Sequence, residues 1–214
     1  MPTSAPSLIG LTGFRRCGKD SACQVLEKVF GFKRYGFADA LRSMALAIDP
    51  AMAMHGCPAE LLNTLYESGH YGRDYHFRYA ELVNVLGYER AKEIPDVRRF
   101  LQRLGTEGVR GTFGPNAWVR ALHQRIETDA PLLVCISDVR FASESDWILS
   151  QKGVIWRVIR PGHGGDDSHP SEVEIPSLPA ALEIVASTLE SLARQVLEAA
   201  MSLGCFPLPS SAPQ

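Results

Sequence analysis

The sequence has few lysines, no strong net charge and no long apolar run. Its 22 basic residues comprise 17 arginines and 5 lysines, and they nearly balance 24 acidic residues, which leaves a formal charge of −2. A nearly neutral chain lacks the broad basic surface that grips duplex nucleic acid, so we expect no nucleic acid polymer as a partner. No segment has the length of a membrane span and the N-terminus lacks a signal pattern, so we expect no membrane association.

Disulfide and zinc patterns are also missing. The five cysteines, at positions 17, 23, 57, 135 and 205, are odd in number and scattered, and the six histidines have no zinc-ligand spacing. Unpaired cysteines are typical of a reducing compartment, so we expect a cytoplasmic protein. The length and the 45% hydrophobic content suit one core, so residues 1–206 are predicted to form a single domain and residues 207–214 a disordered tail.

Apolar runs and helical periodicities alternate along the chain. Strands are predicted at residues 7–12, 34–38, 131–137, 153–159 and, more weakly, 182–185, and helices at 20–30, 40–48, 79–90, 95–104, 115–126, 142–151 and within 180–203. This alternation predicts an α/β fold in three layers, with a parallel five-stranded sheet flanked by helices and ligands at the carboxyl ends of its strands. Residues 49–78 lack clear periodicity, and we expect helices joined by a mobile insertion there.

A glycine-bounded loop follows the first predicted strand. Its sequence is Gly13-Phe14-Arg15-Arg16-Cys17-Gly18-Lys19, and a predicted helix comes next. This G-x-x-x-x-G-K pattern between a strand and a helix is typical of a phosphate-binding loop, in which backbone N–H groups and a helix N-terminus point at phosphate oxygens. We therefore expect Gly13, Arg16 and Gly18 to surround phosphates, and Lys19 to bridge the β- and γ-phosphates.

Asp20 follows the lysine, where this pattern usually has a serine or threonine whose hydroxyl binds Mg²⁺. The Asp20 carboxylate could hold magnesium directly or through water, or it could be only a favourable acid in a first helical turn. Ser21 either hydrogen-bonds the α-phosphate or is a first-turn serine without a ligand.

Further segments place arginines beside acids at predicted strand ends and helix starts. Asp39 and Arg42 form either an acceptor-phosphate site or an N-cap with a surface ion pair. Residues 99–110 carry many phosphate- and nucleoside-binding groups, although a solvated helix face has a similar composition. Asp138 follows the clearest strand, where it either orients Mg²⁺ or caps the next helix. The Gly-, Asp- and His-rich residues at about 160–175 are typical of a lid that closes over a nucleotide.

In their order along the chain, LIGLTGFRRCGKDSACQVL, GFADALR, LQRLGTEGVR, AW, ISDVRFASE and HPSE resemble segments of the deoxynucleoside monophosphate kinases of tailed bacteriophages. The resemblance implies a P-loop kinase fold with a helical substrate-binding region at about 40–128. It further implies transfer of the γ-phosphoryl group of ATP to a deoxynucleoside monophosphate, with Mg²⁺ as cofactor. It places the protein in the host cytoplasm if a phage encodes it, and related kinases often form homodimers.

The resemblance also assigns residues by position. The group near ATP is Gly13, Arg16, Gly18, Lys19, Asp20 and Ser21, with Asp20 and Asp138 as magnesium ligands. The group around the acceptor is Asp39, Arg42, Gln102, Thr106, Glu107, Arg110, Trp118 and Asp138, with Trp118 as a base-stacking ring. Lys19, Arg140 and Arg160 would neutralise charge on the transferring phosphoryl group.

Two other functions stay open. Animal-type phosphomevalonate kinases resemble this chain in the GKD loop, the SD-x-R strand end and the acidic loop, whereas the LQ-x-x-GTE segment and Trp118 favour a nucleotide. A regulatory module that binds ATP without transferring phosphate is the second alternative, and the retained Lys19 and Asp138 argue against it. Such kinases often carry Asp or Asn near the last strand, but the segment ALEIVASTLESL has neither, which leaves that strand's position open.

Overall fold

A computed structural model describes residues 7–70, 76–162, 173–206 and 208. The chain divides into two compact units, the first formed by Met1–Phe37 and Val119–Gln214 and the second by Ala38–Trp118. In chain order the elements are β1 (Leu8–Thr12), α1 (Lys19–Phe30), β2 (Lys33–Tyr35), α2 (Asp39–Ile48), β3 (Ala51–Ala53), α3 (Ala59–Glu67), β4 (His76–Arg78), α4 (Tyr79–Leu86), α5 (Tyr88–Ala91), α6 (Pro95–Gln102), a π-helix (Arg103–Arg110), α7 (Gly111–Phe113), α8 (Ala117–Asp129), β5 (Val134–Val139), α9 (Ala142–Ser150), β6 (Val154–Ile159), a 3₁₀ turn (Ile175–Ser177), β7 (Leu182–Val185) and α10 (Leu189–Ser202).

The first unit is a parallel sheet with helices on both faces. Its five strands lie in the order β2-β5-β1-β6-β7, and every neighbouring pair is parallel. On one face Leu11 and Trp156 pack with α1 and α10, and on the other face Leu8 and Ile136 pack with Ile148 of α9. Burial of these apolar side chains is the main force that holds the three layers together. The predicted three-layer α/β fold is confirmed.

Several predicted boundaries shift by a few residues. The third core strand is Val134–Val139 rather than 131–137, because Pro131 has no N–H to donate to a ladder and Leu132 is 90% exposed, while Val139 is fully buried. Asp138 therefore lies inside the end of β5 instead of following it. The weakly indicated last strand is present as β7, which pairs with β6.

The second unit consists of helices and a short antiparallel ribbon. In the ribbon, Met52 of β3 pairs with Phe77 of β4, and both side chains are buried against Leu61, Leu65 and Leu82. The prediction of helices across 49–78 is therefore incomplete, since the described residues of this range, 49–70 and 76–78, form one helix and two strands. Each strand has only three residues, which is too short for a sequence alternation to show.

Two helices of this unit also differ from their predictions. The helix expected over 79–90 is interrupted at Gly87, whose φ of 76° ends α4 before α5 begins. The helix expected over 95–104 continues as a π-helix to Arg110. Because π-helices are rare and concentrate at functional sites, this segment is a candidate for function.

Parts of two predictions lie outside the described residues. These are most of the lid, at 163–172, and the predicted tail, of which only Leu208 is described. Within the described part of the chain, no helix has both the length and the apolarity needed to cross a membrane.

Candidate active site

The predicted phosphate loop connects β1 to α1, and its shape depends on two glycines. Gly13 has a φ of 140°, and a Cβ atom there would lie 2.3 Å from the carbonyl oxygen of Val158. Gly18 has a φ of 108° and is the N-cap of α1. Side chains are strongly disfavoured in these conformations, so the backbone can follow this path only with glycine at both ends of the loop.

Lys19 is buried even though it carries a charge. Its side chain is 7% exposed, and its Nζ atom donates to the carbonyl oxygens of Gly13, at 2.6 Å, and Phe14, at 2.8 Å. The Sγ atom of Cys17 lies 3.6 Å from the same amine. Burial of an ammonium group costs free energy unless hydrogen-bond acceptors surround it. Here the carbonyl groups of the loop are those acceptors, and they hold the cation against the loop backbone.

Asp20 and Arg34 form an ion pair beside this loop. The Arg34 Nε atom also donates to the hydroxyl of Ser137 at 3.3 Å, which links α1, β2 and β5 at the carboxyl edge of the sheet. Sequence reasoning missed Arg34 and Ser137. No sequence signal pointed to Arg34, because it begins the strand predicted at 34–38, whereas in the structure it lies near the carboxyl end of β2 (Lys33–Tyr35).

Asp138 joins the ends of two neighbouring strands. Its Oδ1 atom accepts a hydrogen bond of 2.8 Å from the backbone N–H of Phe37, which follows β2. The N-cap position of α9 is taken by Phe141, and the carboxylate of Glu144 accepts from the N–H groups of Arg140, at 2.8 Å, and Phe141, at 3.2 Å. The Asp138 carboxylate is instead held at the strand edge, where parallel sheets bind ligands.

The segment after the predicted lid is anchored to the first unit. Arg157 donates to the carbonyl oxygens of Pro176, at 3.3 Å, and Leu178, and it forms an ion pair of 2.8 Å with Glu183. Glu174 accepts from the N–H of Ala142 at 2.8 Å. The Arg157 side chain is therefore bound by neighbouring residues of the first unit. By contrast, the predicted Arg160 is exposed just after β6, and Arg140 is half-buried just after β5.

A cavity of about 370 Å³ lies beside the loop within the first unit. The loop residues Gly13, Phe14 and Cys17 form one wall, and the end of β6 and the 3₁₀ turn form the others. Its volume falls within the range of small-molecule pockets. The arrangement therefore combines a buried cation, a helix N-terminus and an adjoining cavity.

The second unit contains most of the predicted acceptor residues. In α2, Asp39 lies 3.4 Å from Arg42. Gln102, Thr106 and Glu107 are exposed on α6 and the π-helix, and Arg110 is half-buried at the end of the π-helix. Glu107 also pairs with Arg103, at 3.3 Å.

Trp118 differs from its prediction as a stacking ring. Its side chain is 6% exposed and packs with Val109 and Leu104. Its indole Nε1 donates to the carbonyl oxygen of Gly105 at 3.1 Å. A ring that is buried on both sides has no face left for a base, so in this structure Trp118 supports the π-helix instead.

Comparison with known proteins identifies the family. No protein-family model matches the chain. A protein of Acanthamoeba polyphaga mimivirus named "Putative deoxynucleotide monophosphate kinase" is 30% identical over 192 residues, which cover 80% of this chain and 83% of that protein. The chain belongs to the deoxynucleotide monophosphate kinase family.

One solved structure aligns with most of the chain, but its structural similarity to the chain is low. The dephospho-CoA kinase from Campylobacter jejuni matches 92% of this chain and 98% of its own, with 11% identity and a TM-score of 0.39. Such a low score supports no argument about the site.

Membership of the deoxynucleotide monophosphate kinase family makes the protein a nucleotide kinase, and therefore a phosphotransferase. Enzymes of this type have little covalent chemistry to perform, and they act by positioning their substrates and neutralising charge. The buried ammonium of Lys19 and the uncapped N-terminus of α1 are groups of the kind that such chemistry requires.

Proposed function

We propose that this protein transfers the γ-phosphoryl group of ATP to a deoxynucleoside 5′-monophosphate, giving the diphosphate and ADP for DNA precursor synthesis (EC 2.7.4.-). The observation that carries the proposal is the Lys19 ammonium, which the loop holds at 2.6 Å from the Gly13 carbonyl. Family membership directs the proposal toward nucleotides as acceptors.

We assign the two substrates to different units. Gly13, Arg16, Gly18, Lys19 and Ser21 of the first unit bind the phosphates of ATP, for which the loop conformation is the support. The acceptor nucleotide is bound by Asp39, Arg42, Gln102, Thr106, Glu107 and Arg110 of the second unit, where Trp118 contributes by holding the π-helix.

The reaction needs positive charge more than it needs a base. The acceptor phosphate is already an anion, so no strong general base has to remove a proton. Lys19, Arg140 and Arg160 would offset the negative charge that spreads over the transferring group. Hydrogen bonds from guanidinium and ammonium groups to phosphate oxygens are strong because both partners are charged.

Magnesium fits the residues at the strand edge. Asp20 and Asp138 offer the hard carboxylate oxygens that Mg²⁺ prefers, and protein sites for this ion commonly use one or two carboxylates plus waters and substrate phosphates. When bound, the ion would neutralise charge on the β- and γ-phosphate oxygens.

The test is an acceptor screen with purified protein and Mg-ATP. Each of the four common dNMPs, the matching NMPs and phosphomevalonate is added separately, and ADP release is measured. The proposal predicts release that depends on a dNMP. ADP release only with phosphomevalonate would establish that kinase instead, and ATP binding without any acceptor-dependent ADP would establish the regulatory module.

A further inference from the structure

Arg42 of α2 lies over an aromatic ring. Its Cζ atom lies 4.4 Å from the centroid of the Tyr88 ring, within the distance of a cation–π interaction. The same guanidinium lies 3.4 Å from the Asp39 carboxylate. The Arg42 side chain therefore has an aromatic partner from α5 as well as an acidic one from its own helix.

The break at Gly87 brings the ring to this position. A continuous helix over 79–90 would carry position 88 along the axis of α4, whereas the positive φ of Gly87 ends α4 and starts α5 in a new direction with Tyr88 as its first residue. Tyr88 is half-buried against the core of the second unit. Its ring is therefore a packed surface on which a long side chain can rest.

A second cation near the ring has a different arrangement. The Lys92 Nζ atom lies 4.7 Å from the Tyr88 centroid. The same Nζ atom lies 3.1 Å from each carboxylate oxygen of Glu89. Lys92, the C-cap of α5, is thus paired with a residue of that helix. Lys92 is a suitable control, because it contacts the same ring and we do not assign it to the acceptor site.

The ring contact has a direct consequence for phosphate binding. A guanidinium has five N–H donors, and contact with one ring leaves donors for bidentate hydrogen bonds to phosphate. An arginine on an exposed helix loses considerable side-chain entropy when it binds, and a ring that already restrains the guanidinium lowers that loss. An arginine held over a ring is therefore prepared for an oxyanion.

We propose that Tyr88 is a positioning residue, which orients the Arg42 guanidinium for the phosphate of the acceptor nucleotide. The inference rests on the proposed function, in which Arg42 binds the acceptor. Tyr88 acts through Arg42 and not by touching the substrate. Loss of the ring should therefore weaken binding of the acceptor and leave binding of ATP unchanged.

Kinetics of four variants test this inference. In Tyr88→Leu and in the more nearly isosteric Tyr88→Met, KM for the preferred dNMP should rise about 3- to 30-fold, as expected for a lost cation–π contact. KM for ATP and kcat should stay within about twofold. Tyr88→Phe keeps the ring and should behave like the wild type, as should Lys92→Ala.

A double-mutant cycle separates positioning from direct contact. In an Arg42→Met background, Tyr88→Leu should have no further effect on KM for the dNMP, because Tyr88 then has no guanidinium to orient. An equal effect in both backgrounds would overturn the inference. So would an unchanged dNMP KM in folded Tyr88→Leu and Tyr88→Met, or an equal rise in KM for both substrates.

An NMR measurement without substrate keeps this inference distinct from the proposed function. The Hδ and Hε protons of Arg42 should be shifted upfield by the Tyr88 ring in the wild type and in Tyr88→Phe, but not in Tyr88→Leu. If the wild type turned over no dNMP, the proposed function would fail while this shift remained. Absence of the shift in the wild type would refute the ring contact itself.

Discussion

The Nζ atom of Lys19 lies 2.6 Å from the carbonyl oxygen of Gly13, and the contact connects the start of α1 to the start of the loop. The lysine is therefore held in place before any ligand arrives. Phosphate oxygens carry a full negative charge and form stronger hydrogen bonds with an ammonium than a carbonyl does. The side chain can exchange one partner for the other within the same loop.

Replacement of Lys19 by Met should abolish most of the phosphoryl transfer without unfolding the protein. Methionine has a similar length but no charge, and loss of one preorganised donor typically lowers kcat by about 100- to 1,000-fold. Steady-state kinetics and a thermal melt measure the two effects. Lys28→Met, in the last turn of the same helix, is the control and should keep its activity. Near-normal turnover in folded Lys19→Met would contradict the assignment of the loop.

Asp20→Asn should change the magnesium requirement more than the stability. The Asp20 side chain is 74% exposed, so its ion pair with Arg34 is worth less than about 1 kcal/mol. If the carboxylate helps to hold Mg²⁺, the concentration for half-maximal rate should rise about tenfold or more. A magnesium titration at fixed ATP measures this, with Glu27→Gln of the same helix as the control. An unchanged titration curve would leave Asp20 only a role as a first-turn acid.

Trp118→Phe should loosen the π-helix. Phenylalanine keeps an aromatic ring in the cluster but removes the donor to the Gly105 carbonyl, and a hydrogen bond of this kind typically contributes about 0.5–1.5 kcal/mol. Hydrogen exchange should therefore become faster across Arg103–Arg110 and the free energy of unfolding should fall. Trp147→Phe in the first unit is the control, and it should leave exchange in the π-helix unchanged. Wild-type exchange rates in Trp118→Phe would show that the indole N–H does not hold this segment.

Asp129 should make folding stability sensitive to acid. Its carboxylate accepts from Lys33 at 2.8 Å, from Arg125 at 3.0 Å and from Tyr35 at 2.9 Å, and these partners, Lys33 foremost, hold the pKa of Asp129 well below its ordinary value of 3.8. A carboxyl whose pKa is lowered by folding stabilises the protein above its ordinary pKa, and the contribution is lost as pH falls toward the folded value.

Asp129→Asn should therefore have a lower Tm than the wild type at pH 7, and the difference should shrink as the pH falls below about 4. Thermal unfolding at several pH values measures it. Thr128→Val, at the neighbouring position, changes no ionisable group, so its Tm difference from the wild type should not depend on pH. A constant difference for Asp129→Asn would show that the ion pairs do not stabilise the folded state.

The sheet and the glycine-bounded loop between β1 and α1 could be predicted because their signals are local. Buried strands appear as apolar runs, and the positions of Gly13 and Gly18 follow from the conformations that the loop requires. The exact ends of the strands could not be predicted from local signals. The end of β5, for example, depends on burial of Val139 in a core that is formed by residues distant in the sequence.

Contacts between distant segments could not be predicted. Arg34 meets Asp20 and Ser137 only because β2, α1 and β5 converge, and Tyr88 meets Arg42 only because Gly87 redirects the chain. The burial of Trp118 is a similar case. Its sequence context suggested a stacking ring, but packing within the second unit decided otherwise.

The most direct test of the account follows the phosphate itself. ATP labelled on its γ-phosphate is incubated with the wild-type protein, Mg²⁺ and each dNMP, and the products are separated by chromatography. The account predicts label in a deoxynucleoside diphosphate, formed about 100- to 1,000-fold more slowly by Lys19→Met. Label that stays in ATP, or appears only as inorganic phosphate whichever dNMP is added, would contradict it.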